Sequence, residues 1–200
     1  MNIFYFIFLL LVTFFGQICF AHVPSEGKVS ATVAGMAEIT IETTAHVARP
    51  VFWSGGLVLE GDLSNNGGIE LSILYSGNQY ALKKEGTLLV ERANRMYIPL
   101  GYRYWFTRKF SGGLGFFSSY KMGGVDEIYR TPGMAPTAKT SAHDTTEYGL
   151  DFSLGYEIRT SKKYALTFDF RYSWPVTEKQ FEEASQYLIL VGLKYPVQHK

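Results

Sequence analysis

The fold class this sequence predicts is all-β: an eight-stranded antiparallel up-and-down barrel that crosses a membrane, preceded by a cleavable signal peptide. Three observations predict it. The first is strict alternation over residues 148–174. Tyr148, Leu150, Phe152, Leu154, Tyr156 and Ile158 share one parity, against Gly149, Asp151, Ser153, Gly155, Glu157 and Arg159. Leu166, Phe168, Phe170, Tyr172 and Trp174 then oppose Thr167, Asp169, Arg171 and Ser173. A side-chain period of two is that of a strand with one apolar and one polar face. The second is bulk. The large apolar residues sit on one face, and the charged residues share the other with glycine and serine. A closed barrel is crowded inside and unlimited outside, so the greasy face belongs outside, an arrangement that only a bilayer makes stable. The third is rhythm: the connections after the second, fourth and sixth strands are short and the others longer, as in membrane barrels.

The elements follow in order. Residues 1–21 carry no charged side chain, and Cys19 and Ala21 supply small residues at the −3 and −1 positions of a signal-peptidase site, which predicts cleavage before His22. Residues 22–28 then form a short N-terminal periplasmic segment, residues 29–195 the barrel and residues 196–200 a C-terminal tail. The first strand covers 29–42, with Val29, Ala31, Val33, Ala37 and Ile39 opposed to Ser30, Thr32, Glu38 and Thr40. The second runs from Phe52 to Leu63 and ends in Ser64-Asn65-Asn66-Gly67-Gly68, residues that tolerate tight turns.

The third strand starts at Ile69. Residues 77–94 read as a strand extension that folds back beyond the bilayer around Lys83-Lys84-Glu85-Gly86. The fourth, 95–106, places Arg95, Tyr97, Gly101 and Arg103 inward and contains Pro99, which predicts a bulge. The fifth is 110–120. Residues 121–146, with Gly123, Gly124, Pro132, Gly133 and Pro136, have no usable period and predict a mobile surface loop. The 148–174 hairpin supplies strands six and seven. Its polar turn needs an odd number of residues, three or five, to keep both apolar sets on one side. Strand eight is 187–195.

Composition excludes several function classes. A net charge of +1 over 200 residues offers no nucleic-acid surface. The one cysteine, Cys19, leaves with the signal peptide, so the mature barrel has no disulfide or thiolate metal site. His22, His46, His143 and His199 lack metal-ligand spacing, and no cofactor motif is present. After residue 21 no apolar run reaches the roughly 18 residues of a membrane helix, so any crossing by the mature chain is made by strands.

The run Tyr97-Ile98-Pro99-Leu100-Gly101-Tyr102-Arg103-Tyr104-Trp105-Phe106, followed by Gly112-Gly113-Leu114-Gly115, resembles the small OmpA/OmpX-like outer-membrane barrels. Residues 151–155 with 168–172 look like their later hairpin. The resemblance implies an outer-membrane location in a Gram-negative-type bacterium and insertion by the barrel-assembly machinery. Gly192 and Tyr195 match that family's terminal-strand signal, which residues 196–200 extend past. Lipids of that membrane are the expected partners, and a monomer is the expected state.

The expected functional constellation is a lumen charge network of Arg95, Arg103, Asp151, Glu157, Asp169 and Arg171, with Glu38, Glu60, Asp62, Glu70 and Lys194 on the same inner parity. Interior charges of so narrow a barrel must pair. The network therefore reads as a plug of salt bridges, and alternatively as a narrow pore. Tyr102, Tyr104, Tyr156, Tyr172, Trp174 and Tyr195 form the expected aromatic girdle. Envelope integrity or surface interaction through the loops are the non-enzymatic roles this fold supports. Two rivals remain: a lipid-modifying enzyme built on Ser141, His143 and Asp144, and a soluble barrel with its phenylalanines inside.

Overall fold

A computed structural model describes residues 26–40, 51–84, 86–159, 163–177 and 181–197. The signal peptide, His22, His46, His199 and the end of the C-terminal tail lie outside the described residues. The strands are β1 (Val29–Thr40), β2 (Phe52–Asp62), β3 (Gly67–Lys84), β4 (Thr87–Trp105), β5 (Phe110–Arg130), β6 (Thr146–Arg159), β7 (Ala165–Pro175), a two-residue β8 (Glu182–Glu183) and β9 (Gln186–Val197). All pairings are antiparallel, and β2–β3 contact closes the sheet into a barrel of eight strands. The remaining strand, β8, pairs with the far end of β3 through Leu82 and Ala81.

Side-chain direction follows the alternation. Phe168 and Phe170 are exposed while Arg171 between them and Ser173 is fully buried, and Leu154 and Tyr148 are exposed while Asp151 and Glu157 are buried. The same split runs around the barrel, from Val33 on β1 to Leu100 and Tyr102 on β4 and Ile189 and Tyr195 on β9. The exterior is therefore a continuous apolar band. β-Branched and aromatic residues suit a pleated surface with only one face packed. The β6–β7 register pairs Arg159 with Ala165, Tyr156 with Phe168 and Leu154 with Phe170, which keeps both apolar sets on one side.

The lumen is not charged throughout. Ala34, Met36, Val58, Leu74, Leu188 and Leu190 form a buried apolar cluster in it with Tyr97 and Phe117. The same inner face also carries buried charged side chains, among them Glu70, Arg103, Asp151, Arg171 and Lys194. Barrels of this size have interiors that side chains can fill.

Three features differ from the sequence reading. Residues 121–130 are not loop: β5 continues through them, paired with β4 as far as Arg130 opposite Leu89. The β3–β4 extension, by contrast, is the one expected: it pairs Gly77 with Asn94 through Lys84 with Thr87, and Gly86 has φ +79. Residues 131–145 do leave the sheet, but they fold back over the mouth of the barrel. Lastly, there is no bulge at Pro99. Pro99 pairs with Phe117 in an unbroken register, and toward β3 the register is the same on either side of it. Proline removes one donor without adding a residue, so only ladder contacts are lost. The irregularities of β4–β5 fall at Val90/Glu91 and Ala93/Arg95, where the sheet leaves the apolar band.

Candidate functional site

Six strands send charged side chains into one network near the short-turn end of the lumen. Arg103 of β4 donates from Nε to Glu70 Oε2 at 2.6 Å and from Nη1 to Ser111 Oγ at 2.9 Å, and its Nη2 meets Asp169. Arg171 of β7 donates to Glu70 through Nη2 and to Asp151 Oδ2 through Nη1 at 3.2 Å, with Asp169 Oδ2 at 3.3 Å. Glu70 and Asp169 are thus each held by both guanidinium groups. Lys194 of β9 reaches Glu60 Oε2 at 2.5 Å and Glu157 Oε2 at 3.2 Å, and its Nζ stands 5.0 Å from the centre of the Trp105 ring. Glu60 Oε1, 3.9 Å from Arg103, joins the lysine branch to the arginines.

Planar guanidinium groups suit this task because each offers several donors in a fixed fork. The sheet makes room for them: a Cβ at Gly155 would stand 2.2 Å from Arg103 Nη1. Tyr97 closes the network against the apolar side. Its hydroxyl donates to Asp151 Oδ1 at 2.6 Å and shares a 2.6 Å hydrogen bond with Ser173 Oγ, while its ring packs on Phe117. A void of about 20 Å³ lies beside Arg103, Glu60 and Asp169, room for about one water.

Five of the six residues expected in the network, namely Arg103, Asp151, Glu157, Asp169 and Arg171, are brought together here, with Glu60, Glu70 and Lys194. Arg95 is not among them. It lies fully buried further up, where Nη2 donates to the carbonyls of Ser141 at 3.0 Å and Asp144 at 2.9 Å. Its Nη1 donates to Ser119 O at 3.3 Å, Glu147 is 3.9 Å away, and the Tyr80 ring lies beneath it at 5.5 Å. Arg95 therefore ties the returning segment to the barrel wall.

That segment caps the mouth. Thr140 starts a 3₁₀ turn, Ser141–His143, and accepts a hydrogen bond from the Ala142 N–H at 3.1 Å. Two carboxylates hold the turn from opposite sides. Glu91 on the β4 extension accepts from Thr140 N at 2.9 Å and Thr140 Oγ1 at 2.7 Å, and lies 3.1 Å from His143 Nε2. Glu182 on β8 accepts from Ser141 N at 2.7 Å and Ser141 Oγ at 2.5 Å. Beneath the turn Ala142 packs with Tyr80, Ala93 and Ala184. Burial pushes the Glu91 carboxyl up, but the hydrogen bonds from Thr140 and then His143 outweigh it and hold the group below its ordinary 4.5.

The cap also disposes of the catalytic set that Ser141, His143 and Asp144 suggested. The Ser141 hydroxyl is bonded to Glu182 and the His143 ring to Glu91, so His143 does not face the hydroxyl as the proposed Ser–His–Asp set would need. Among the described residues no group of three or more His, Cys, Asp or Glu side chains is placed to hold a metal ion. Sequence reasoning missed Glu91, Glu147, Glu182 and Tyr80. Glu147 was within reach, because it continues the inner parity of β6 by one step; the others act through contacts between segments far apart in the chain.

The girdle residues all lie on the outer parity. Tyr104, Tyr156 and Tyr195 stand near the short-turn rim, Trp174 near the opposite rim, and Tyr102 and Tyr172 one step further in. Tyr172 packs between Phe152 and Tyr187, with ring centres 6.2 and 5.3 Å away.

No family model matches this chain, and no curated protein is similar to it in sequence. Solved structures are similar in fold. OprG, an outer-membrane protein of Pseudomonas aeruginosa, superposes with a TM-score of 0.57 at 11% identity, over 88% of this chain and 100% of that one. Outer membrane protein W of E. coli gives 0.48 at 11% identity, over 86% and 98%. Ail, the attachment invasion locus protein of Yersinia pestis, gives 0.46 at 11%, over 85% and 99%. The architecture is that of the small outer-membrane barrels.

Proposed function

We propose that this chain is a non-enzymatic outer-membrane barrel, monomeric and closed to solutes, that serves envelope integrity and presents a rigid surface platform. One observation carries the reading: among the described residues the lumen holds an interlocked network of ion pairs together with a buried apolar cluster. A narrow pore needs a connected wet path, and the void beside Arg103 has room for about one water. The apolar band needs lipid around it, so the lipids of the outer membrane are its standing partners, and the barrel-assembly machinery inserts it.

The short turns face the periplasm with both mature termini, and the β3–β5 extension with its cap faces outward, following the usual disposition of such barrels. The extension stands beyond the apolar band: Arg92 and Asn94 occupy outward positions where lower down Leu100 and Tyr102 do. Surface interaction therefore falls to a braced sheet rather than to free loops, and its ligand is open. Planar-bilayer recording of the purified protein tests the closed lumen. No single-channel steps are expected at neutral pH; regular steps in the intact protein would refute it.

A further inference from the structure

The outer wall of the barrel has a gap. On β5 the outward positions run Phe110, Gly112, Leu114 and Phe116, and Gly112 sits directly between Tyr104 of β4 and Leu154 of β6. One missing side chain between these neighbours leaves an apolar groove of about 420 Å³, walled by Tyr104, Phe106, Leu114, Leu154 and Phe170. Its size falls within the roughly 300–1,000 Å³ of ligand pockets. The rings at its lower end are mutually braced, with Phe106 edge-on to Tyr104 at 5.3 Å and 5.8 Å from Phe110. A groove walled by packed aromatic rings is a fixed shape, whereas the flanking wall of Ile189, Val191 and Leu193 on β9 carries a side chain at every outward position.

We infer that this groove is a lipid site that seats one acyl chain of a phospholipid. The occupant follows from position. The groove is continuous with the apolar band that the bilayer covers, so it meets hydrocarbon and not water. Its lining reaches the short-turn rim, where Tyr104 supplies an amphipathic ring of the kind that settles at headgroup level. This assignment rests on the membrane reading above, and the choice of phospholipid rests on the short turns facing the periplasm.

The test uses the folded full chain in vesicles of phosphatidylethanolamine and phosphatidylglycerol containing a phosphatidylethanolamine with a diazirine on one acyl chain. After illumination, the labelled peptides are mapped. Capture is expected to concentrate on the strand segments around Gly112 and Leu154, about tenfold above the β9 segment around Val191. Gly112→Leu fills the gap; its Cβ would stand 2.9 Å from Phe106 Cε2, so that ring must shift slightly, and in ordinary contact with Ser153 O at 3.6 Å. That variant is expected to lose the concentration while its labelling at β9 and its heat-dependent gel mobility stay unchanged. Even labelling around the band, or capture unaltered by Gly112→Leu, would overturn the site. Displacement by lipopolysaccharide but not by unlabelled phospholipid would overturn the choice of lipid. Protease access to residues 131–140 in whole cells reports orientation independently, so a failed orientation is told apart from a failed groove.

Discussion

The lumen network and the cap handle buried carboxylates in different ways. In the lumen, Glu60, Glu70, Asp151, Glu157 and Asp169 are matched by Arg103, Arg171 and Lys194, side chain to side chain across six strands. At the mouth, Glu91 and Glu182 accept hydrogen bonds from backbone N–H groups and hydroxyls of a single turn, Thr140–Ser141, with His143 beside Glu91. Cations spread over a closed wall stitch distant strands into one rigid unit. Carboxylates that grip a returning segment fasten a part that was not in the wall. The contrast teaches that this barrel is closed twice, once by charge pairing that cannot be undone without unfolding, and once by a latch that can.

The largest effect expected from that contrast is at Arg171. Removing a fully buried cation leaves Glu70, Asp151 and Asp169 short of a partner, so Arg171→Met costs about 3–5 kcal/mol of barrel stability. Urea unfolding followed by gel mobility of heated and unheated samples measures it. Replacing the set together, Arg171→Met with Glu70→Leu and Asp151→Leu, costs much less than Arg171→Met alone, because no charge is then stranded. Equal losses for the single and triple variants would break the pairing account.

The cap is expected to answer differently. Glu182→Gln weakens two hydrogen bonds to a charged acceptor, about 2 kcal/mol, which converts to roughly 30-fold faster proteolysis within residues 131–145. The unfolding midpoint of the barrel stays where it was. A matched fall in both would mean that cap and wall are one cooperative unit.

Acid sharpens the distinction further. Glu91 is held below its ordinary 4.5 in the folded protein, so its contribution is fully present above that value and is lost as pH falls through the lowered one. Protease sensitivity of residues 131–145 should rise below about pH 4.5, and Glu91→Gln should flatten that rise.

Much of the wall was legible because alternation is a local signal. Asp169, Phe170 and Arg171 declare their faces from three consecutive letters, and a barrel turns parity into inside and outside. Pro99 misled because a missing donor was read as an inserted residue. The cap was not legible for another reason. Glu182 meets Ser141 across 41 positions and Thr140 meets Glu91 across 49, and no period links such residues. Residues 121–130 hid as loop because the bulges of β4–β5 shift the alternation there. Met36, Leu74, Leu188 and Leu190 share the inner parity with charged residues such as Glu38, Glu70 and Lys194, so alternation alone does not mark them as a buried apolar cluster.

The most direct test of the inside-out wall is thiol labelling of the folded protein in vesicles, with Cys19 replaced by Ser and single cysteines placed at Phe170 and Ser153. Phe170→Cys is expected to react with a lipid-soluble maleimide and not with a water-soluble one, and Ser153→Cys, which points into the filled lumen, with neither. Reaction of Phe170→Cys with the water-soluble reagent in the intact barrel would contradict the account.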